Sequence, residues 1–289
     1  MGTLKSIMVR DPVTVSPDAS VARAVQLMQR FKVGGLPVVQ EGMLVGILTS
    51  RDVRNAHPNR LVADAMTREV ITISPDCSIW EAKEKIDRYC IERLVVEAEG
   101  RLLGIITKSC LLIHFGKAVD SLTGLFTADY AYYAAEKLLK TNSSAVVIFI
   151  DLDNFGEIDK QLGHAEGNSI LVKVAQALNS GTTEGVDYLC RYGGDEFVVV
   201  TSRNVKEAQE LCFSLLDAIS NVTWPGLQNR GLALAASAGI VPGRRSASDK
   251  DKQNWLNVVD LVNLASLGST QAKQKGHRVL TMEEVEVVE

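Results

Sequence analysis

At 289 residues the chain is long enough for two ordinary domains, and a hydrophobic share of 46% can fill their cores. A formal net charge of −4 with both signs interspersed excludes a non-specific binder of nucleic acid or of an anionic membrane surface. No apolar run approaches a membrane span, and Met1-Gly-Thr-Leu-Lys5 lacks the apolar block of a secretory signal, so a cytoplasmic protein without membrane partners is expected.

The first organisational signal along the chain is a repeat. Met8-Val-Arg-Asp-Pro-Val-Thr-Val-Ser-Pro-Asp-Ala-Ser20 aligns with Met66-Thr-Arg-Glu-Val-Ile-Thr-Ile-Ser-Pro-Asp-Cys-Ser78 at an offset of 58 residues. The offset holds without a gap through Gly46-Ile-Leu-Thr49 against Gly104-Ile-Ile-Thr107. In each copy an extended segment and a Ser-Pro-Asp turn lead into a helix with apolar residues at helical spacing (Val21, Val25, Met28; Ile79, Ala82, Ile86). Two β-branched strands follow, 36–39 and 44–48 in the first copy, and a short helix closes the unit. Each copy is too small to build a good core alone, so the two are expected to pack together.

This half resembles a tandem pair of CBS domains, over repeats at about 5–57 and 63–115. Such pairs commonly bind adenine nucleotides (AMP, ADP or ATP) in the clefts between repeats. The resemblance is carried by Gly46-Ile-Leu-Thr-Ser-Arg-Asp52, where the Thr49 hydroxyl would hold a phosphate and Asp52 a ribose diol, with Arg51 a further phosphate contact. In the second copy Cys110 stands where Asp52 does, so a single competent site is expected. The alternative is that Asp52 only caps the following helix and the pair is a dimerisation platform.

Residues 111–119 read as a short helix without a Pro/Ser linker, which suggests stiff coupling between the halves. Helix 130–139, strand 145–153, helix 170–178, strand 186–192, a Gly-Gly-Asp-Glu turn and strand 197–201 come next. Helix 205–219, strand 232–238 and a last helix at about 255–274 complete the series, and the tail 283–289 reads as a frayed acidic end. The whole is α+β in two domains, 1–117 and 118–289, the second with a central, mostly antiparallel sheet flanked by helices. The five cysteines (77, 90, 110, 190, 212) are scattered and lack CxxC spacing, which reads as buried thiols.

Acidic residues end one strand and form the turn before another: Ile150-Asp-Leu-Asp153, and Asp195-Glu196. If those strands are neighbours, Asp151 faces Asp195 and Glu196, and clustered carboxylates repel unless they are protonated or share a cation. Hard oxygen ligands suit Mg²⁺ (or Mn²⁺) held jointly with substrate phosphates. Such ions can activate a sugar 3′-hydroxyl for attack on an α-phosphate. An ordinary polar turn is the alternative.

The second half resembles a GGDEF domain, the diguanylate cyclase fold that condenses two GTP into cyclic di-GMP. Four matches carry the resemblance: Asp120-Ser-Leu-Thr-Gly-Leu125, Asp151-Leu-Asp-Asn-Phe155, Gly163-His-Ala-Glu-Gly167 and Arg191-Tyr-Gly-Gly-Asp-Glu-Phe197. It implies metal ligation by Asp151, Asp195 and the Leu152 carbonyl, with Glu196 supporting the metals or hydroxyl deprotonation. The amides of Asn154, Phe155 and Gly156 would approach the phosphates, Lys273 would meet the terminal ones, and Gly193 and Gly194 belong to the substrate-binding turn. Each site carries one GTP, so a two-fold homodimer is implied. A ligand on the front half would then shift how often the cyclase halves meet.

Some positions depart from the family pattern. Asp159 stands where a base-reading Asn is usual, and Asn168 where a guanine-reading Asp is usual. The pair could have exchanged duties, altered base preference toward adenine, or drifted in a protein without turnover. Gly156 replaces a Lys after the phosphate-loop Phe, and His277 replaces an Arg, with Arg278 adjacent. Glu184-Gly-Val-Asp187 replaces an RxxD product-inhibition motif, so strong feedback through it is not expected. His164 reads as a turn-stabilising hydrogen-bonder. A catalytically silent nucleotide receptor is therefore the alternative to the enzyme.

Overall fold

In the computed structural model, which describes residues 3–116, 118–246 and 256–287, the chain folds as two units, Met1–Gly116 and Lys117–Glu289. The first unit runs β1 (Val9–Arg10), α1 (Val21–Phe31), β2 (Gly35–Gln40), β3 (Met43–Thr49) and α2 (Ser50–Arg54). After α3 (Val62–Ala65) the pattern recurs as β4 (Thr72–Ile73), α4 (Ile79–Tyr89), β5 (Arg93–Ala98), β6 (Arg101–Thr107) and α5 (Lys108–Phe115). The duplication reaches the caps. Ser20 and Ser78 each accept the amide three residues on, at 3.2 Å, and both helices end on a left-handed residue, Lys32 or Cys90.

Strand order is β2-β3-β6-β5-β4, with β1 on β6, so the two copies share one sheet joined where Met43 pairs with Arg101. The opening strand of the first copy shrinks to a single parallel bridge, Val15 to Val38, which is the register of Ile73 to Val96 in the second. Under the sheet of the first copy, Val15, Ala24, Met28, Leu36, Val38 and Leu48 form a buried cluster.

The second unit runs β7 (Phe126–Thr127), α6 (Ala128–Asn142), β8 (Ser144–Leu152), α7 (Phe155–Leu162), α8 (His164–Gly181), β9 (Asp187–Gly193) and β10 (Glu196–Thr201). It continues through α9 (Val205–Ser220), α10 (Pro225–Gln228), β11 (Ala236–Arg245), α11 (Val258–Gln274), β12 (Val279–Thr281) and β13 (Val285–Val287). The central ladders β11-β8-β10-β9 are antiparallel, while β7, β12 and β13 add to the edges in parallel, so the sheet is mixed.

Two-residue alternation splits the core between the faces. Val146, Ile148, Ile150 and Leu152 of β8 face one cluster, together with Ile170, Val174 and Leu215 from α8 and α9. Ala145, Val147 and Phe149 face the other, with Ala131 and Ala135 from α6 and Leu261 and Ala265 from α11. α11 lies close to the sheet because Gly239 has no side chain. A Cβ there would sit 2.5 Å from the Ser269 amide and nearer still to the Ala265 carbonyl.

Several elements differ from the sequence reading. β11 begins and ends later than strand 232–238, because Gly239, Pro242 and Gly243 resemble a turn yet pair with Phe149, Val146 and Ala145. The acidic tail is ordered where Val285 and Val287 pair alongside Gly243 and Arg245, with Val287 buried, while residues 288 and 289 lie outside the described residues. Residue 255 of the last expected helix also lies outside them. Cys190 and Cys212 are buried, whereas Cys90 is exposed and Cys77 and Cys110 are half-buried. No helix among the described residues is long and apolar enough to cross a membrane.

Candidate functional site

The alternation that buries Val147 and Phe149 under α11 carries one step further to Asp151, which therefore lies on the α11 face of the sheet. β10 places Glu196 directly opposite Asp151, and β11 places Ser237 on its other side. Three polar side chains thus form a row across the strands at the end where α11 finishes. Lys273, in the last turn of α11, reaches into this row. Its Nζ lies 3.6 Å from Asp151 Oδ1 and 3.5 Å from Asp153 Oδ1, and donates to the Leu152 carbonyl at 3.3 Å. Asp153 also accepts from the Ser237 hydroxyl at 3.0 Å.

Asp195 occupies the loop between β9 and β10, where its backbone carbonyl accepts from the Leu152 amide at 3.3 Å. Gly194 supplies the positive φ, +49°, that this tight loop requires. Burial pushes the Asp151 carboxyl above its ordinary value, and Asp195 and Asp153 add to this while Lys273 opposes it. Burial raises Glu196 likewise, reinforced by Asp151 and Asp195. Both directions report negative charge gathered in a partly dry place.

The donor set is all hard oxygen, the chemistry that Mg²⁺ or Mn²⁺ prefers. It already surrounds one cation, the Lys273 ammonium, which holds Asp151 and the Leu152 carbonyl together. Among the described residues no three acidic, His or Cys side chains converge as a ready-made ion cage. The residues fit an ion held jointly with a ligand's phosphates rather than one caged by protein alone.

Beyond β8, Asn154 takes a left-handed conformation and starts α7. The Phe155 side chain is buried in the core, so only its amide can face a ligand, while Gly156 is exposed in the first turn. Asp159 is held by His164, whose Nδ1 lies 2.5 Å from Asp159 Oδ2, and Asn168 is exposed on α8. The His164 ring itself is 91% exposed, as suits a residue that orients a neighbour. Arg278 is engaged by Asp217 of α9 at 2.8 Å, and His277 is exposed.

The hairpin bearing the acidic loop is tied at both ends by contacts the sequence did not signal. At the tip, Arg191 donates from Nε and Nη2 to the Gly194 carbonyl (3.0 and 2.6 Å) and from Nη1 to Asp120 at 2.9 Å. At the base, Asp187 accepts from Arg203 Nε and Nη2 (2.9 and 2.8 Å), the Thr201 hydroxyl (2.7 Å) and the Thr183 amide (2.9 Å). Both Asp187 oxygens are therefore committed inside the fold.

The first unit has its own cleft, of about 340 Å³, lined from both repeats. Thr49, Ser50, Arg51 and Arg54 come from the first, and Glu69, Cys90, Glu92 and Arg93 from the second. The Arg93 guanidinium lies over Gly34 and Gly35 and donates to the Gly34 carbonyl at 2.7 Å. Sequence reading missed Arg54 and Arg93, since neither belongs to the quoted motif. Asp52 is not on the lining. Its Oδ2 accepts from the Thr49 amide and hydroxyl, both at 2.7 Å, as a helix cap. In the second copy Cys110 donates its amide to the Thr107 hydroxyl instead.

The sequence model of the GGDEF family, described as a diguanylate cyclase domain, matches residues 117–278, and that of the CBS domain matches 4–59 and 62–116. Inosine-5′-monophosphate dehydrogenase of Korarchaeum cryptofilum is 44% identical over 105 residues, 36% of this chain but 22% of that protein. The crystallised CBS domain pair of protein MJ0100, in complex with 5-methylthioadenosine and S-adenosyl-L-methionine, aligns with a TM-score of 0.39 and 30% identity over 40% of this chain and 98% of that one. The diguanylate cyclase SiaD of Pseudomonas aeruginosa, in complex with its activator SiaC, aligns with a TM-score of 0.48 and 20% identity over 71% of this chain and 72% of that one.

Proposed function

Because the chain belongs to the GGDEF, or diguanylate cyclase, family and carries a tandem CBS pair ahead of that domain, we propose that it condenses two GTP into cyclic di-GMP under control of an adenine nucleotide at the CBS pair. The observation that supports this most is the row of Asp151 and Glu196 across neighbouring strands, with Lys273 brought to it by α11. In this reading Asp151, Asp195 and the Leu152 carbonyl hold Mg²⁺ or Mn²⁺ with the substrate's phosphates. When bound, the ion offsets phosphate charge and makes the attacking hydroxyl more acidic.

The protein's own groups do the rest. Burial makes Glu196 a more basic carboxylate, which suits it to take the proton of the 3′-hydroxyl. The first-turn amides of α7 face the phosphates, and Lys273 turns to the terminal ones. Two domains must face each other to join two nucleotides, so the working species is a homodimer. In the CBS cleft, Arg51, Arg54 and Arg93 offer charge for a phosphorylated ligand, beside Thr49.

A second reading, a nucleotide-binding receptor without turnover, is favoured by specific contacts. Arg278 is spent on Asp217 and Asp159 on His164, and Gly156 brings no charge to the phosphate loop. Incubation with GTP, ATP or their mixture plus Mg²⁺, with products identified by mass, separates the two. A cyclic dinucleotide that disappears in Asp195→Ala supports the enzyme. Nucleotide binding without any product supports the receptor. For the front half, calorimetry with AMP, ADP and ATP on Arg54→Ala and Arg93→Ala tests the cleft, and affinities equal to the unaltered protein's would remove those two residues from ligand binding.

A further inference from the structure

We propose that Lys273 is a built-in stand-in for the divalent ion: in the ion-free protein its ammonium occupies the space between Asp151, Asp153 and the Leu152 carbonyl, and an ion binds only by displacing it. The inference deepens the cyclase reading and rests on its assignment of an ion to these oxygens.

The argument is one of shared ligands. Asp151 and the Leu152 carbonyl are the groups proposed to hold the ion, and both lie within 3.6 Å of Lys273 Nζ. A divalent ion and an ammonium on the same Asp151 oxygen and Leu152 carbonyl would lie close enough to repel each other strongly. The ammonium is held by three long contacts, 3.3 to 3.6 Å, rather than by one short bond, and the side chain is 35% exposed. It therefore has an open way out. The helix that carries it is packed closely on the sheet, because Gly239 lets α11 seat directly on β11, with Ala265, Gly268 and Ser269 against that glycine. Displacement is thus a swing of the flexible Lys stem alone.

An ordering of ligands follows. Without nucleotide, an incoming ion must replace a positive charge that already satisfies the carboxylates. A nucleoside triphosphate brings anionic oxygens that can receive the displaced ammonium, so ion and nucleotide should favour each other's binding reciprocally. The site would then stay closed to an ion arriving alone.

The test is titration of Mn²⁺ into the full chain, followed by the signal of free Mn²⁺ in electron paramagnetic resonance, with and without a non-hydrolysable GTP analogue. Without nucleotide, Lys273→Met should bind Mn²⁺ at least about fivefold more tightly than the unaltered protein. In chelator its melting temperature should fall, and Mn²⁺ should restore it. The analogue should raise Mn²⁺ affinity more in the unaltered protein than in the variant. Lys273→Gln, which keeps a donor but no charge, gives the same reading should the Met variant fold poorly. A purely structural lysine predicts the opposite sign, weaker Mn²⁺ binding on its removal. Equal affinity in both proteins would overturn the stand-in role and leave the cyclase reading intact. Absence of Mn²⁺ from both, with and without analogue, would overturn the ion assignment and the stand-in role together.

Discussion

Replacing Arg203 by Met would strand the Asp187 carboxylate at the base of the hairpin that carries the acidic loop. The Asp187 side chain is fully buried and that of Arg203 is 27% exposed. Losing one partner of a fully buried pair costs about 3–5 kcal/mol, and partial access of water to Arg203 reduces the figure to about 2–3 kcal/mol. For a domain of this size that is a fall in melting temperature of about 5–10 °C. The pH dependence carries the sharper signature. Burial pushes the Asp187 carboxyl up, but hydrogen bonds from Arg203, Thr201 and the Thr183 amide outweigh it and hold the carboxyl below its ordinary value. A carboxyl depressed in the folded state contributes stability that is present above the unfolded value of about 3.9 and is lost as pH falls through the folded value. In Arg203→Met most of that contribution is absent from the start. Urea unfolding from about pH 7 to about pH 3 should therefore show a difference between the proteins that is largest near neutrality and shrinks in acid. A difference constant with pH, or below about 1 kcal/mol at pH 7, would refute the buried-pair argument.

Glu196→Gln should lower cyclisation about 10²–10⁴-fold. Burial, with Asp151 and Asp195 beside it, raises the Glu196 carboxyl, so its ionisation costs stability as pH rises from the unfolded value upward. The variant should consequently melt higher in chelator at neutral pH, and unchanged turnover would reject the proton-acceptor role. Arg191→Lys keeps the charge but cannot serve both Asp120 and the Gly194 carbonyl, so turnover should drop about tenfold or more with a small change in melting temperature. Gly239→Ala would set a methyl against the backbone of α11, and a loss of about 1–3 kcal/mol in urea unfolding is expected.

The repeat was readable because its spacing is kept across 58 residues, down to the serine caps. The acidic row was readable in part, because a strand that alternates Val147, Phe149, Asp151 must point its acid where its neighbours point their side chains. What escaped reading depends on long-range contact. Asp120 and Arg191 are 71 residues apart, and nothing in either local pattern says that they meet. β13 looked like a solvated tail because Glu and Val alternate there, yet that same alternation is what a half-buried edge strand needs. Asp52 sits in a motif whose chemistry allows either a ribose contact or a cap, and folding put its Oδ2 on Thr49.

The ladder between β8 and β10 fixes Asp151 opposite Glu196 whether or not the pair is electrostatically comfortable. Directly opposite residues on neighbouring strands hold their Cβ atoms about 5 Å apart, and two carboxylates at about that separation repel by about 3 kcal/mol at an effective dielectric constant of about 20. Here the ladder between β8 and β10, with the Leu152 amide donating to the Asp195 carbonyl, holds the two strands together, so relief by separating them would break backbone hydrogen bonds. The remaining relief is a cation. Lys273 supplies one that is tethered, partly exposed and loosely held, which keeps the pocket folded while leaving it receptive to a stronger competitor. On this view the parts divide the work: the β8–β10 ladder sets the negative charges side by side, the arginines fix the hairpin that carries Asp195 and Glu196, and the lysine determines when something else may neutralise them.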